Sequence, residues 1–383
     1  MEDKEYMSLP PILTTTDEIT AFSEELRQFP AIAVDLEADS MHCYQEKVCL
    51  LQFSTPERTV LIDPLTDGDL SALKPVLADG SIRKIFHAAD YDIRCLARDF
   101  DIEIDGLFDT MISSQFLGEE KVGLADVLSK YFNVELDKQY QRADWSERPL
   151  SAGMIHYAAE DTAHLHKLVE TLEEQLHQKG RADWVKEECA LLQTARFAPN
   201  TGHMCLRIKG AGRLHPKQLA ILEELLHWRD SEARRRDRPL YKVMGNKPLL
   251  ALAVTQPTGN RGLLGIEGIS PRLVDRFGSA LLKAIRSGQK WPDEKLPVFP
   301  RGERRVKDPQ AEKRLIKLKE WRKGAAADLA IDPGVLINNT LLETLARANP
   351  QTLEECAESD GIKQWQCREF GGELLDVLGA AQN

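Results

Sequence analysis

Ala31-Ile32-Ala33-Val34-Asp35-Leu36-Glu37 is four apolar residues followed by two carboxylates at i and i+2. The apolar run, rich in β-branched residues, predicts a strand buried on both faces. Side chains two apart on a strand share a face, so Asp35 and Glu37 project together from its end. Two like charges held close repel, and burying each costs on the order of several kcal/mol unless it is paired or bound to metal. On this stretch alone two readings stand. Either a divalent cation is held there, or the strand runs into solvent with two exposed acids.

Working outward, residues 15–28 read as a helix opened by a Thr or Asp cap. Residues 48–53 and 59–63 are strand-like, 83–86 is a fourth strand candidate and 102–108 a fifth. Between the last two, apolar residues at 89, 93, 96 and 97 have helical spacing. Helices follow at 111–117 and 124–132, then along the stretch 152–179. Three strands, a strand–helix–strand unit and then helices imply an α/β fold with a mixed sheet covered by helices. Ligands of such sheets gather at strand ends, near Asp35 and Glu37. Asp92 lies just beyond the end of the fourth strand. Tyr157 and Asp161 are four apart, about 40° around one helical face.

The chain has 383 residues, enough for two or three domains, with 42% hydrophobic and 29% charged residues, as in an ordinary soluble globular protein. Seven scattered cysteines without a Cys-x-x-Cys argue against a disulfide framework or a zinc site and for a reducing cytoplasm. No apolar run approaches a membrane span, and the acidic start is unlike a signal peptide. The net charge of −11 conceals a basic stretch, residues 301–323, with ten Lys/Arg against four Asp/Glu. That segment suits a phosphate backbone or a solvated linker and helix face.

Asp35-x-Glu37, His87-Ala-Ala-x-x-Asp92 and Tyr157-Ala-Ala-x-Asp161, in this order, resemble the three exonuclease motifs of the DEDD superfamily. With Asp144-Trp145-Ser-Glu-Arg148-Pro-Leu150 between the second and third, they are most similar to its tyrosine-bearing branch, which includes the ribonuclease D family. The resemblance spans residues from about 10 to 200. His156 and Asp161 also fit the spacing of the superfamily's histidine branch. Five residues turn a helix by about 140°, however, so Tyr157 aligns with Asp161 and His156 diverges from it.

Residues 213–383 contain a duplication. Gly268-Ile269 and Gly361-Ile362 each follow a Trp-Arg pair, Trp228-Arg229 and Trp321-Arg322, by 40 residues, and Phe277-Gly278 and Phe370-Gly371 follow by 49. Each unit reads as several short amphipathic helices. The first resembles the HRDC module on His215-Pro-x-x-Leu219, Trp228-Arg229, Arg234-Arg235-Arg236, Pro239 and Gly-Ile-x-Pro271. The second departs further and lacks the triple arginine. Both Trp residues read as core. Arg234, Arg235, Arg236 and Arg238 suit either phosphate contact or an exposed helix face.

The resemblance implies a ribonuclease H-like exonuclease domain at residues 1–205, an HRDC domain at 211–292, a Pro-rich and basic linker at 293–309 and a divergent HRDC-like domain at 310–383. It implies Asp35, Glu37, Asp92 and Asp161 as metal ligands and Tyr157 as a further catalytic residue. All-oxygen ligation suits Mg²⁺ or Mn²⁺, and two such ions about 4 Å apart can clamp the attacking and leaving oxygens of a phosphodiester. Asp35 would bridge both ions, Glu37 and Asp161 would sit on the nucleophile side, and Asp92 on the leaving-group side. The expected activity is that of a cytoplasmic 3′→5′ exoribonuclease trimming RNA 3′ ends, tRNA precursors foremost. No membrane and no obligate protein partner is implied. The nearest alternative is a 3′→5′ DNA exonuclease. A catalytically silent nucleic-acid-binding scaffold is disfavoured because every ligand position is filled.

Overall fold

The computed structural model describes residues 9–199, 201–300 and 308–380. The acidic start of the chain and the basic linker residues 301–307 lie outside the described residues. The described residues form two compact units, one from residues 9–38, 48–197 and 308–380 and the other from 39–47, 198–199 and 201–300.

The first unit opens with β1 (Ile12–Leu13), α1 (Thr16–Leu26), β2 (Ala31–Ala38), β3 (Val48–Ser54), β4 (Thr59–Ile62), α2 (Leu73–Leu77) and β5 (Arg83–Phe86). It continues through α3 (Asp90–Phe100), β6 (Leu107–Asp109), α4 (Thr110–Leu117), α5 (Leu124–Phe132), α6 (Ala152–Ala163), α7 (Leu165–Gln178) and α8 (Ala182–Leu192). The second unit holds α9 (Pro216–Arg236), α10 (Leu240–Val243), α11 (Asn246–Thr255), α12 (Asn260–Leu264) and α13 (Pro271–Gln289). The first unit then resumes with α14 (Pro309–Asp328), α15 (Pro333–Leu336), α16 (Asn339–Ala348), α17 (Leu353–Ala357) and α18 (Gln364–Ala380).

One mixed sheet runs β1-β4-β3-β2-β5-β6. β3 runs antiparallel to both of its neighbours, β2 and β4, whereas β5 runs parallel to β2 and β6 parallel to β5. β2 therefore lies inside the sheet, which accounts for its apolar run. α1 is started by a capping box between Thr15 and Glu18 and buries Ile19, Phe22 and Leu26. Phe22 meets Phe53 of β3 edge-on at 6.0 Å.

The expected α/β architecture is present, with three local differences. The two-residue β1 is too short to leave a periodic signal. The fifth strand covers only Leu107–Asp109. Ile102 and Ile104 are buried without joining the ladder, because Asp101 ends α3 in the left-handed region and Gly106 turns at φ +72. The helical stretch 152–179 breaks at His164, where Thr162 and His166, on either side, both bond to Ser54.

The C-terminal helices share one hydrophobic core with the sheet. Trp365 of α18 is fully buried, stacks on Trp184 of α8 at 4.7 Å and meets Phe116 of α4 edge-on at 5.4 Å. Arg181 donates to Phe116 O at 2.7 Å and to Leu329 O at 2.6 Å. Gly118 sits at φ +88, and a Cβ there would lie 1.9 Å from Ala330 O, so this approach requires glycine.

In the second unit α9 and α13 pack along each other around Leu222, Leu225, Leu281 and Ile285. A Cβ on Gly288 would lie 2.4 Å from Ile221 Cα, so their closest approach also needs glycine. Trp228 packs edge-on against Phe277 at 5.2 Å. Asp39–Lys47, the segment between β2 and β3, belongs to this unit. There the Tyr44 hydroxyl donates to Asp230 at 2.7 Å and its backbone N–H to Asp237 at 3.0 Å, at the end of α9.

Candidate active site

β2 brings Asp35 and Glu37 to one face of the sheet, and a bulge after Glu37 ends their regular pairing with β3. Beside β2, β5 stops at Phe86. The chain then turns through Ala88, at φ +66, into α3, whose first turn carries Asp92. A left-handed alanine is costly unless its surroundings hold it. Here the fully buried Asp109 does so, its carboxylate accepting from Ala88 N at 3.1 Å and Ala89 N at 2.8 Å. The same carboxylate caps α4 through Met111 N and Ile112 N. One buried acid thus fixes the start of two helices and, through α3, the place of Asp92.

α6 starts at Ser151, which caps Met154 N, and packs on β2 and β3. Thr162 is pinned to Ser54 by a 2.7 Å hydrogen bond. This sets Asp161 and Tyr157 beside the carboxylates of β2. The Tyr157 ring is flanked by Trp145 at 5.9 Å and Tyr140 at 6.0 Å. Both come from the irregular segment 133–151, which Arg148 clips to the sheet. Its guanidinium grips Asp63 with two bonds, at 2.5 and 2.8 Å, and donates to Cys49 O at 2.7 Å. A cavity of about 110 Å³ opens beside Tyr157 and Asp161, lined also by Asp137, Lys138 and Gln141.

The four carboxyls act on one another strongly. Burial, opposed by hydrogen bonds to Leu36 and Asp92, moves Asp35 up to about 6. Burial, and then the charges of Asp35, Asp161 and Asp92, push Glu37 up to about 10. Asp161 rises to about 8 by burial and by Asp35. Asp92 is raised well above the carboxylate range, first by burial and then by Asp35, and it hydrogen-bonds to Asp35. Tyr157 is raised by burial and by Asp161, Glu37 and Asp35, so its phenol stays protonated. Such a cluster without a cation keeps protons that a divalent ion would replace. With oxygen donors only and no His or Cys among them, the set fits a hard divalent metal.

Of the other predicted residues, His156 is 58% exposed and faces Glu160 at 3.2 Å. His87 Nδ1 lies 2.9 Å from Thr110 Oγ1, a hydroxyl that also donates to Phe86 O. Arg234, Arg235, Arg236 and Arg238 lie in the second unit, at and beyond the end of α9. Arg234 is exposed and reaches the Tyr44 hydroxyl. Arg235 and Arg236 are both paired with Glu232, and Arg236 also covers the Phe277 ring at 4.9 Å. Asp109 was missed, because its partners lie 20 residues upstream in a turn that no spacing announces. A larger cavity, about 910 Å³, lies at the other end of β2, β5 and β6; the Arg83 and Glu173 side chains on its wall neutralise each other at 2.7 Å.

A 3′-5′ exonuclease family model matches residues 10–177, and the HRDC domain model matches twice, at 218–285 and 311–378. The ribonuclease D of Gluconacetobacter diazotrophicus is 30% identical over 372 residues, covering 96% of this chain and 92% of that one. The ribonuclease D of Escherichia coli is 33% identical over 288 residues, 75% and 76% of the two chains. The crystal structure of Escherichia coli RNase D, an exoribonuclease involved in structured RNA processing, superposes with a TM-score of 0.75 at 28% identity, covering 96% and 98%. The catalytic core of RRP6 from Trypanosoma brucei does so with a TM-score of 0.64 at 30% identity, covering 74% and 81%.

Proposed function

Because the chain belongs to the ribonuclease D family and is a 3′→5′ exoribonuclease, we propose that it trims the 3′ ends of structured RNA, tRNA precursors foremost, by two-metal-ion hydrolysis centred on Asp35, Glu37, Asp92 and Asp161. The observation that carries this reading is the convergence of four carboxyls in one poorly solvated cluster, where burial raises all four and the charge of Asp35 raises Glu37, Asp92 and Asp161 further. When bound, Mg²⁺ or Mn²⁺ supplies Lewis acidity and a more acidic water.

The residues do the rest by position. Asp35, whose charge acts on Glu37, Asp92 and Asp161 alike, would hold the ions together with those three carboxylates. The protonated Tyr157 phenol is a poor base but a good orienting hydroxyl, held by Trp145 and Tyr140 for the incoming water. That water's oxygen bonds to the terminal phosphorus, the P–O3′ bond to the preceding nucleotide breaks, and a nucleoside 5′-monophosphate leaves. The shortened RNA keeps a 3′-hydroxyl ready for the next round.

We assign exonuclease action to residues 1–205 and substrate engagement to the HRDC domain at 211–292, where Arg234, Arg235 and Arg238 are exposed. The linker is assigned to 293–309 and the second HRDC-like domain to 310–383. Among the described residues no helix is long and apolar enough to cross a membrane, and the cytoplasm is the proposed compartment.

The test is a time course on a 3′-extended tRNA and a matched DNA oligonucleotide, each with Mg²⁺ and with Mn²⁺. Shortening of the tRNA by single nucleotides, dependent on either metal, is expected. A strong preference for DNA, or internal cleavage, would overturn the proposal.

A further inference from the structure

β3 reads Val48-Cys-Leu-Leu-Gln52-Phe-Ser54, with one long polar residue inside an apolar run. Gln52 is fully buried. Neither its amide nitrogen nor its amide oxygen has a hydrogen-bond partner among the described residues. Leaving a buried amide unpaired is costly, and native proteins rarely keep such a group without a task for it.

The register gives its place. Gln52 is the direct cross-strand partner of Asp35. Partners in an antiparallel pair present their side chains on the same face, with Cβ atoms about 4.5–5.5 Å apart. Along β3, Leu50 and Ser54 share that face with Gln52. Leu50 packs with Met154 and Ala158 of α6, and Ser54 bonds Thr162 of α6. The unpaired amide therefore lies under the helix that carries Asp161 and next to Asp35. Leu51 and Phe53, on the opposite face, belong to the main core. The Asp35 carboxyl is meanwhile turned to Asp92, its hydrogen-bond partner.

Metal-ligating carboxylates are commonly oriented by a hydrogen bond from a neighbouring group, and removing that group lowers metal affinity roughly 10–100-fold. We propose that Gln52 is a positioning residue of the metal site, its Nε2 donating to the Asp35 carboxylate once Asp35 and Asp92 part to take up ions. The amide Oε1 is then left to accept from a water in the site. This rests on the reading of Asp35 as a metal ligand.

The test is Gln52→Leu, which keeps the volume and removes both polar atoms, with Gln52→Met as a second apolar replacement. Three quantities are read on the full chain: the melting midpoint in EDTA, the apparent Mn²⁺ dissociation constant by calorimetry, and kcat and KM on a 3′-tailed RNA. Removal of a strandedly buried amide predicts a midpoint in EDTA equal to or above that of wild type. Mn²⁺ binding should weaken roughly 10–100-fold, and kcat should fall while KM for RNA stays within about twofold. A merely structural glutamine would lower the midpoint in both variants and leave Mn²⁺ affinity alone, and that result overturns the inference. Asp35→Asn separates the two levels. If it binds Mn²⁺ as wild type does, the metal site itself is wrong; if it loses Mn²⁺ while Gln52→Leu keeps it, only the role of Gln52 falls.

Discussion

Replacing Glu37 by Gln should stabilise the metal-stripped protein, by an amount that grows with pH. The Glu37 carboxyl is moved from 4.5 to about 10, by burial and then by the charges of Asp35, Asp161 and Asp92. In the unfolded chain it ionises near its ordinary value. Between those two pH values the folded state holds a proton that the unfolded state has released. Stability is therefore full below about pH 4.5 and is lost as pH rises toward 10. The loss grows with each pH unit above 4.5 and reaches roughly 4 kcal/mol at pH 7.5, against roughly 1 to 2 kcal/mol at pH 5.5. Gln has nearly the same shape and no proton to bind, so the variant escapes this loss. The neighbouring carboxyls share the strain, which makes these figures ceilings. At roughly 2–4 °C per kcal/mol for a unit of this size, the midpoint gain in EDTA is at most roughly 8–16 °C at pH 7.5 and roughly 3–5 °C at pH 5.5. Differential scanning calorimetry across that range reads it directly. Adding Mn²⁺ should invert the order, because wild type then gains more from the ion than the variant does. A gain independent of pH, or a less stable variant at pH 7.5 in EDTA, would refute the reasoning, since Glu37 would then be folding as a paired anion.

Tyr157→Phe keeps the ring between Trp145 and Tyr140 and removes only the hydroxyl, so kcat should fall on the order of a hundredfold with KM for RNA nearly unchanged; unchanged turnover would return attention to His156. Trp365→Ala removes a fully buried ring and should cost about 3–5 kcal/mol, seen as a midpoint roughly 10 °C lower, while kcat at 20 °C stays within about threefold because the carboxylates are untouched. Arg148→Met leaves Asp63 buried and unpaired, a loss of about 3–5 kcal/mol in chemical denaturation; adding Asp63→Leu should recover more than half of it, since the two sites couple directly.

The carboxylate cluster was readable because its signals are local. A period of two places Asp35 and Glu37 together, a spacing of four places Tyr157 over Asp161, and an apolar run bounded by turns marks β2. What stayed hidden depends on partners far along the chain. Asp109 sits in Phe-Asp-Thr with nothing to announce that it holds Ala88 and Ala89. Arg148 lies in a segment that resemblance singles out, but its grip on Asp63 spans 85 residues. The run Arg234–Arg236 reads as a stripe of exposed charge, whereas Arg236 is turned onto Phe277 and bound by Glu232. Periodicity says which residues face inward. It does not say which charge an exposed-looking cation has already met.

The duplication shows how two copies of one helical module take different work. With Gly268-Ile269 aligned to Gly361-Ile362, Ser270 corresponds to Lys363 and Arg272 to Trp365. In the first copy Ser270 caps its own helix, accepting from Leu273 N, and Arg272 stays exposed. In the second copy the capping serine has become a lysine, and the first amides of α18 need acceptors from elsewhere. Glu187 of α8 supplies them, accepting from Gln364 N at 2.7 Å and Trp365 N at 2.8 Å. Glu188 takes the Lys363 ammonium at 2.6 Å and the Trp365 indole N–H at 2.9 Å. Two changes in the helix-start sequence thus convert a self-capped, cationic end into one that is complete only when docked. The second copy has become part of the exonuclease core, and the exposed arginine at the start of its long helix was given up in the exchange.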